Sequence, residues 1–391
     1  MAASLSKTCP IDIGIIGAGP GGLSAAHALA NQGFSVGVFE RAQALHPIGA
    51  ALGLAEQGDA ALQEISPLIT TQVRTQATNP RRQLLMRPSG EVLFSDESPL
   101  AGTSFTWLGW YTLQTCLRQT LPDSVRLYLN HRLIDFSSEQ LDAPICLKFQ
   151  NQPDRLVRIL VGADGYRSVI RNKTVGDGAP LYTGTMTWRG VVPRQQLAPL
   201  PDPFTEGAGF QLIVGGQKNF WMMDAGSEQL AWGGTALQPS PDKSESAFAT
   251  VLQVFAEWPP IVEKVIRATE PTSIIETGVF DREPVSQWGD GHRVTLLGDA
   301  AHPIRPSLGL GTTLAFQDAV TLAQALAGVD SEKIATVSEA LLHYEQARIR
   351  ITTPLQHQAR QEGAASHADD QADRLKAAFE AALAIRRKLA L

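Results

Sequence analysis

Cysteine is scarce in this 391-residue chain, and the placement of the few cysteines excludes two classes of site. The three cysteines, Cys9, Cys116 and Cys146, lie far apart, and none belongs to a CxxC pair. This spacing argues against a disulfide framework and against a zinc centre, so no metal site is predicted. A chain without structural disulfides suits a reducing compartment, and we expect a cytoplasmic protein.

Long apolar runs and an excess of positive charge are missing as well. No window reaches the roughly 18 apolar residues that a membrane span needs. The opening residues, MAASLSKTCP, are too short and too polar to predict a secretory signal. With 33 Lys and Arg against 39 Asp and Glu, the net charge is -6, which gives a polyanion no broad attraction. We therefore expect no membrane span and no nucleic-acid partner.

What is present is the composition of an ordinary globular protein, with 43% hydrophobic and 18% charged residues. A length of 391 residues exceeds what one hydrophobic core usually supports, which predicts two packed domains. Residues 11–16 are almost wholly apolar, as in a parallel strand that is buried on both faces. Residues 22–31 predict a helix and residues 34–40 a second strand, which together form a βαβ unit. Further strand candidates are residues 125–129, 156–161 and 294–297.

Between about Thr183 and Thr277 the pattern changes to short strand-like runs broken by proline-rich turns, which predicts an antiparallel second domain. Trp188, Trp221, Trp232 and Trp258 fall in this region. They either wall a flat apolar ligand or fill the core of the sheet, and core packing is the favoured interpretation. The sequence from residue 330 onward is helical in pattern. Its last run, LKAAFEAALAIRRKLAL, is interpreted as a packing helix, with a membrane-surface helix as the alternative.

The sequence GAGPGG places Gly17, Gly19 and Gly22 in GxGxxG spacing between a predicted strand and a predicted helix. The first glycine permits a tight turn, the second lets backbone N–H groups reach a pyrophosphate, and the third lets helix and strand pack closely. Glu40 ends the second predicted strand, where a carboxylate accepts hydrogen bonds from both ribose hydroxyls. A 2′-phosphate would be repelled there, so the predicted nucleotide is FAD or NAD rather than NADP.

The segment RVTLLGDAAHPIRPSLGLG selects FAD between these two nucleotides. Asp299 follows a predicted strand, and its carboxylate suits the hydroxyls of a ribityl chain, which NAD lacks. A helix that begins near Gly311 would direct its amides at the pyrimidine edge of the isoalloxazine. His302 is interpreted as a turn histidine bonded to backbone and not as a catalytic base. A further segment, VGADGYRSVIR, contains Asp164 and on its own is a common turn.

Taken together and in this order, GAGPGG with Glu40 and Arg41, VGADGYRSVIR and GDAAHPIRPSLGLG resemble the motifs of the FAD-dependent aromatic-hydroxylase family. These are the single-component flavoprotein monooxygenases of the para-hydroxybenzoate hydroxylase fold, and the resemblance spans nearly the whole chain. It implies an α/β protein in which a Rossmann-like FAD-binding domain is interleaved with an antiparallel-sheet substrate domain and followed by C-terminal helices. The predicted division assigns residues 1–75, 105–180 and 278–355 to the FAD domain, 76–104 and 181–277 to the substrate domain, and 356–391 to a C-terminal helical segment.

The resemblance also implies which residues bind the cofactor. The predicted FAD-binding residues are Gly17, Gly19, Pro20, Gly22, Glu40, Arg41, Gln114, Arg118, Asp164, Asp299, Pro306, Gly309, Leu310, Gly311 and Thr312. Many relatives read GQGxNxAxEDA where this chain reads GLGTTLAFQDA, so Leu310, Thr313 and Gln317 replace the usual Gln, Asn and Glu. Trp110 stands where relatives often have an arginine near the flavin, and Arg118, one helical turn after Gln114, is the candidate replacement.

The implied reaction is a monooxygenation. NAD(P)H, docking transiently, reduces the flavin; O2 adds at C4a, and the resulting hydroperoxide delivers one oxygen to an aromatic or unsaturated small molecule. The site must be kept dry. Arg189, in TWRGVV, and Pro306 are the predicted catalytic residues, although a salt-bridged or surface role for Arg189 is the alternative. The predicted apolar walls of the substrate pocket are Trp188, Met222, Met223 and Trp232.

Two other functions remain open from the sequence. A flavoprotein reductase of the same fold, similar to geranylgeranyl reductases, shares the early motifs, and a non-catalytic flavin-binding sensor is compatible with the altered GLGTT segment. No second GxGxxG follows a predicted strand, which argues against a separate nicotinamide domain. The sequence specifies neither the substrate nor the choice between NADH and NADPH, and we expect a monomer or a homodimer.

Overall fold

The computed structural model describes residues 10–46, 51–79, 81–96, 106–205, 207–305 and 309–365. The predictions for Cys9, for Pro306 and for the C-terminal run after residue 365 lie outside these ranges. Within them, no helix combines the length and the apolar character that crossing a membrane would require.

The strands, in chain order, are β1 (Ile11–Ile16), β2 (Val36–Phe39), β3 (Ala51–Leu54), β4 (Arg82–Met86), β5 (Val92–Asp96), β6 (Thr106–Gly109), β7 (Val125–Tyr128), β8 (Leu133–Ser137), β9 (Ile145–Phe149), β10 (Gln152–Gly162), β11 (Leu181–Pro193), β12 (Gly209–Gly215), β13 (Lys218–Asp224), β14 (Gln229–Leu237), β15 (Ile275–Asp281) and β16 (Val294–Leu296). The helices are α1 (Pro20–Asn31), α2 (Glu56–Ile65), α3 (Pro67–Gln76), α4 (Trp110–Gln119), α5 (Val169–Thr174), α6 (Ala247–Val254), α7 (Pro260–Ala268), α8 (Gly311–Ala325) and α9 (Ile334–Ala365). The predicted βαβ unit is confirmed as β1, α1 and β2, and the helix predicted near Gly311 is α8.

The first sheet has the strand order β7-β2-β1-β10-β9-β8, with β16 also paired to β10. Strand β1 lies parallel to both β2 and β10, and β16 is parallel to β10. Parallel strands place their carboxyl ends at one edge of the sheet, which is where ligands bind in open α/β folds. The turns that follow β1, β10 and β16 carry Gly17, Asp164 and Asp299, so the fold brings the three sequence motifs to this edge.

Helices α1 and α8 pack against each other over this sheet. The close approach depends on Gly21, because a Cβ there would lie 3.2 Å from the Cβ of Ala315 on α8. The strands beneath are apolar on both faces, as shown by Ile13 and Ile15 on one face and Leu160 on the other, all of which are fully buried. The packing fixes the start of α8 beside the glycine-rich turn at the start of α1.

The second sheet has the order β15-β11-β14-β13-β12-β4-β5. Its strand pairs are antiparallel except for β4 with β12, which are parallel. Helices α6 and α7 cover one face, where Val251, Val262 and Ile266 are fully buried. Strand β15 crosses the predicted domain boundary between residues 277 and 278, and α9 crosses the predicted boundary between residues 355 and 356. The far end of α9 reaches the second sheet, where Leu355 and Ala359 join a cluster with Met223.

Candidate active site

A cavity of about 1100 Å³ lies between the edge of the first sheet and the open face of the second. The predicted cofactor-binding residues that line it are Gly17, Gly19, Pro20, Glu40, Arg41, Gln114, Asp164, Asp299, Gly309, Gly311 and Thr312. Three predicted cofactor-binding residues do not line the cavity. Gly22 and Leu310 pack just behind its wall, and Arg118 lies near the end of α4. Arg118 therefore does not occupy the place of the arginine that Trp110 replaces, whereas Trp110 itself lines the cavity.

The glycine-rich turn is shaped by three different constraints. Gly17 has φ of +108°, and a Cβ there would lie 2.3 Å from the carbonyl oxygen of Ala163. A Cβ on Gly22 would lie 2.0 Å from the carbonyl oxygen of Gly17. At Gly19 a Cβ would meet no atom within 4 Å, because this residue borders the cavity. No side chain caps the start of α1, so its first amides are available to a phosphate group.

Glu40 and Gln114 hold the backbone of this turn from two sides. The Glu40 carboxylate accepts hydrogen bonds from the backbone N–H of Ala18 and of Ala42, both at 2.9 Å. The side-chain amide of Gln114 donates to the carbonyl oxygen of Ala18 at 2.7 Å. Each carboxylate oxygen of Glu40 retains a lone pair for a ribose hydroxyl, so holding the turn and binding a nucleotide are compatible.

Asp164 lies in the turn after β10 and anchors the start of α5. Its Oδ2 accepts a hydrogen bond from the backbone N–H of Val169 at 2.8 Å, while its Oδ1 is buried without a partner among the described residues. Burial raises the pKa of Asp164, although its hydrogen bonds from Ser168 and Val169 act in the opposite direction. An unsatisfied carboxylate oxygen at a cavity wall is a place for a donor from a ligand.

Asp299 and the start of α8 lie at opposite ends of the GDAAHPIRPSLGLG motif and border the same part of the cavity. Asp299 lies in a short 3-10 turn directly after β16, and its side chain opens into the cavity. A Cβ on Gly311 would lie 3.9 Å from Oδ1 of Asp299, and Gly309 has φ of +64°. Deep placement within the protein raises the pKa of Asp299, which the nearby Asp318 also raises and His302 lowers. No side chain caps α8, so its positive N-terminus is directed at the cavity beside this carboxylate.

His302 differs from its predicted role. The sequence predicts a histidine bonded to backbone, but Nε2 of His302 forms a 2.6 Å hydrogen bond with Oδ2 of Asp318, and its ring is almost fully buried. Asp318 also accepts hydrogen bonds from the backbone N–H of Gly298 at 2.9 Å and from Nε of Arg348 at 2.6 Å. This buried network joins the Asp299 turn to α8 and α9. Asp318 lies within the quoted GLGTTLAFQDA segment, but its pairing with His302 depends on how α8 packs.

One face of the second sheet packs against helices and the other lines the cavity. Three of the four residues predicted to form the substrate wall lie on the helix-covered face, so their prediction is wrong. Trp188, Met222 and Trp232 pack on the face covered by α6 and α7 and do not line the cavity. The indole nitrogen of Trp188 donates to Glu276 at 2.9 Å, and that of Trp232 donates to Thr269 at 2.8 Å. Successive residues of a strand point to opposite faces, so these side chains were assigned to the wrong side.

Of the predicted wall residues, only Met223 lines the cavity. The cavity has further lining residues that were not predicted, namely Trp107, Phe210, Leu212 and Trp221. Alternation along β13 places Trp221 and Met223 on one face and Met222 on the other, but it does not tell which of the two faces meets the cavity.

Arg189 lies on β11 and lines the cavity, as predicted. It forms no ion pair or hydrogen bond within the described ranges, so the salt-bridged alternative finds no support there. Burial lowers the pKa of Arg189, and the nearby Tyr166 opposes this shift. An arginine nevertheless remains protonated at physiological pH, so the site carries a positive charge.

The residues that line the cavity fit FAD. Gly19 leaves open space where a pyrophosphate would approach α1, and Gly311 leaves space beside Asp299 where a flavin ring would approach α8. The two uncapped helix starts offer amide donors, and Glu40 and Asp299 offer acceptors for hydroxyl groups. FAD is the cofactor of this fold, and NAD(P)H is its usual reductant.

Comparison with known proteins agrees with this geometry. The FAD binding domain family matches residues 10–359. Aurachin C monooxygenase/isomerase of Stigmatella aurantiaca is 31% identical over 342 residues, which cover 86% of this chain and 84% of the relative. The 3-amino-4-hydroxybenzoate 2-monooxygenase of Streptomyces cremeus is 30% identical over 366 residues, which cover 92% of this chain and 89% of the relative.

The crystal structure of Klebsiella pneumoniae HpxO in complex with FAD and uric acid superposes with a TM-score of 0.80 at 25% identity, covering 97% of this chain and 96% of HpxO. Both the sequence relatives and this structure are thus similar over nearly the full described chain. The chain belongs to the FAD-dependent aromatic-hydroxylase family of flavoprotein monooxygenases.

Proposed function

We propose that this protein is an FAD-dependent monooxygenase that uses NAD(P)H and O2 to hydroxylate or epoxidise an aromatic or unsaturated small molecule. The observation that carries the proposal is the continuity of the cavity. One end is bordered by Gly19 and Glu40, the middle by Asp299 and Gly311, and the far side by the second sheet with Arg189. A dinucleotide and a substrate can therefore meet in one continuous space.

In this proposal FAD would be held at three points along its length. The amides at the start of α1 would bind the pyrophosphate, Glu40 would accept from the ribose, and Asp299 would accept from the ribityl chain. When bound, FAD would supply the redox chemistry that links NAD(P)H to O2. The N-terminus of α8 borders the cavity with free amides, so its dipole would stabilise negative charge on a ring bound there.

The second sheet contributes the apolar, water-excluding surface that this chemistry needs. Leu85, Phe210, Leu212 and Met223 line the cavity with apolar surface. Excluding water from the site would protect a reactive intermediate from side reactions with water before it reacts with the substrate. Arg189 lines the cavity and is the group that we assign to the substrate. If this assignment is right, Arg189→Ala should weaken substrate binding or uncouple NAD(P)H oxidation from product formation in the assay described next. The proposal keeps a monomer or homodimer in the cytoplasm as its expectation.

The experiment is a turnover assay on the purified, yellow protein. A panel of aromatic and unsaturated compounds is screened for those that accelerate NAD(P)H oxidation, with O2 consumption followed in parallel. A monooxygenase consumes NAD(P)H and O2 together, and its product contains one added oxygen by mass. A reductase of the same fold would add two hydrogens to its substrate without consuming O2. A flavin that NAD(P)H fails to reduce with every compound tested would indicate a sensor and would contradict the proposal.

A further inference from the structure

Gln83 is a buried glutamine of the second sheet, and its side chain faces the cavity. It lies on β4, is 4% exposed and lines the cavity wall. Strand register places it directly opposite Phe210 on β12, which is in turn opposite Met223 on β13. Directly paired residues project from the same face of a sheet, and all three line the cavity. The row therefore presents a side-chain amide beside an aromatic ring and a thioether.

The side chain of Gln83 differs from those of the other buried glutamines in its hydrogen bonding. The side-chain amides of Gln114, Gln211 and Gln356 each donate a hydrogen bond, to a backbone carbonyl oxygen or to a methionine sulfur. The side-chain amide of Gln83 has no partner within the part of the chain that the structure describes, and it is open to the cavity. Taking an amide out of water without a partner is costly. A ligand that displaces water from Gln83 must therefore supply a hydrogen-bonding group of its own.

The surroundings of Gln83 in the cavity are apolar. Leu85, two residues further along β4, lines the same wall. The rings of Trp107 and Phe210 border the cavity as well, with their centroids 5.7 Å apart. Both rings pack in the cluster that contains Leu310, the residue directly before α8. The amide of Gln83 thus lies in an apolar wall next to the start of α8, where the flavin ring is proposed to bind.

Gln83 and Arg189 lie far apart across the second sheet. The strand order β11-β14-β13-β12-β4 places three strands between them, which corresponds to roughly 19 Å along the sheet. A carboxylate is also a poor partner for Gln83, because it accepts hydrogen bonds without donating any and leaves the carbonyl oxygen of the amide unpaired. The group recognised by Gln83 is therefore separate from the charge of Arg189 and contains both a donor and an acceptor.

We propose that Gln83 is a specificity-determining residue that binds an uncharged lactam group of the substrate. A lactam presents a carbonyl oxygen and an N–H side by side, and the glutamine amide offers the matching donor and acceptor in one plane. Two parallel hydrogen bonds fix the orientation of the ligand ring, with Phe210 and Trp107 as its apolar neighbours. This inference rests on the proposed function and adds a neutral donor–acceptor edge to the substrate.

The test compares lactams with lactones of the same ring shape, because exchanging the N–H for a ring oxygen removes the donor and leaves the carbonyl. Quinolin-2-one is paired with coumarin, and isoquinolin-1-one with isocoumarin. Each compound is titrated into the FAD-loaded protein, and binding is followed by the perturbation of the flavin absorption spectrum. We expect at least one lactam to bind about tenfold more tightly than its lactone, whose ring oxygen would face the carbonyl oxygen of Gln83. Equal binding within both pairs, or no perturbation by either lactam, would overturn the inference.

Variants then assign the preference to Gln83. Gln83→Met keeps the length of the side chain and should remove the preference for the lactam, whereas Gln83→Asn keeps the amide and should retain part of it. Gln83→Leu repeats the test if the methionine variant loses FAD. Gln211→Met is the matched control, since Gln211 is an equally buried glutamine of the same sheet that does not line the cavity, and its lactam preference should be unchanged. Survival of the preference in Gln83→Met, or its loss in Gln211→Met, with FAD content and thermal stability unchanged, would place the lactam site elsewhere.

The two proposals fail separately. If the lactams bind with the expected preference but no compound supports coupled consumption of NAD(P)H and O2, the proposed reaction is wrong and the lactam site stands. If turnover is found on a compound without a donor–acceptor edge, and Gln83→Met leaves its kcat/KM unchanged, the reaction stands and the assignment of Gln83 is wrong.

Discussion

Asp318 accepts a 2.6 Å hydrogen bond from His302 while Arg348 binds its other carboxylate oxygen, also at 2.6 Å. Asp318 is fully buried, and burial alone would raise its pKa, but the charges of His302 and Arg348 hold the pKa of this carboxyl at about 2. The network connects the turn that carries Asp299 with two helices, so its charge should contribute to the stability of the cofactor side of the cavity.

Asp318→Asn should lower the free energy of unfolding at pH 7 by about 3 to 5 kcal/mol, because Arg348 is left buried without a counter-charge. The pKa shift also sets a pH dependence. A carboxylate whose folded pKa lies below its ordinary value of 3.8 contributes stability above that value and loses it as the pH falls through about 2. Urea unfolding of the wild type should therefore show a loss of about 2 kcal/mol between about pH 4 and pH 2 that the variant lacks.

Asp123→Asn is the control for the loss of a carboxylate, since Asp123 is exposed in the loop before β7. Its stability should follow the wild-type curve at every pH. A stability profile for Asp318→Asn that runs parallel to the wild-type curve through the acid range would show that Asp318 is not the group that titrates.

Gly17→Ala and Gly19→Ala should affect different properties of the protein. Gly17 has φ of +108° and no room for a methyl group, so its substitution should destabilise the fold by about 2 kcal/mol or more. At Gly19 a methyl group would enter open space at the cavity wall, so the free energy of unfolding should change by less than about 0.5 kcal/mol. FAD affinity of Gly19→Ala should nevertheless fall by about tenfold or more, because the methyl occupies the approach of the pyrophosphate.

Thermal unfolding of the FAD-free protein and fluorescence titration with FAD separate the two effects. If Gly19→Ala binds FAD as tightly as the wild type does, the phosphate does not lie against this turn. If Gly17→Ala is as stable as the wild type, the turn has a different backbone conformation.

The glycine-rich turn and the Asp299 motif were predictable because their constraints are local. Positive φ at Gly17 and the strand-turn-helix order are written in a few consecutive residues. The same holds for the start of α8 at Gly311, where glycine, a broken turn and a helical pattern follow one another. The resemblance to a family of known fold extended these local assignments to the order of the strands.

The inner wall of the second sheet was not predictable in the same way. Both faces of β13 are apolar, since one packs against α6 and α7 and the other lines the cavity. Alternation along a strand normally reveals the core because the other face is polar, and here that contrast is absent. The register of β11, β14 and β13 decides which tryptophan meets the ligand, and register depends on pairing between distant segments.

The pairing of His302 with Asp318 was hidden for a related reason. The two residues are separated by the turn and the first two helical turns of α8, and their contact depends on where that helix begins and how it packs. Nothing local distinguishes a histidine that bonds backbone from one that reaches a helix.

Asp299→Asn should weaken the complex with FAD and leave the cofactor-free protein about as stable as the wild type. Deep placement and the neighbouring Asp318 raise the pKa of Asp299, but its side chain is exposed to the open cavity, so water solvates the ionised group before FAD binds. The melting temperatures of the FAD-free variant and of the FAD-free wild type should therefore agree from pH 7 down to about pH 4. FAD affinity should fall by about tenfold, because a charge-assisted hydrogen bond to the ribityl chain becomes a neutral one.

A variant that binds FAD with wild-type affinity would remove Asp299 from the ribityl site. A variant that is less stable than the FAD-free wild type at pH 7 would show that the carboxylate has a structural partner within the turn. Differential scanning calorimetry of the FAD-free proteins across this pH range, together with FAD titrations, reports both quantities.

Met222 and Met223 are adjacent in β13 and should respond in opposite ways to truncation. Met222 is buried among the residues that face α6 and α7, so Met222→Ala should cost about 2 to 5 kcal/mol of unfolding free energy. Its effect on the binding of phenol and 2-naphthol to the FAD-loaded protein, followed by the perturbation of the flavin absorption spectrum, should be small. Met223 lines the cavity, so Met223→Ala should cost less stability and should shift binding toward the larger of these two ligands.

Urea unfolding and flavin-perturbation titrations measure the two responses on the same samples. The adjacent position makes each variant the control for the other, since both remove the same side chain from the same strand. Met222→Ala that changes ligand preference while leaving stability intact would mean that the sheet presents its other face to the cavity. That outcome would also mean that Arg189 and Trp221 do not line the cavity, because the register of β11, β14 and β13 places their side chains on the same face as Met223.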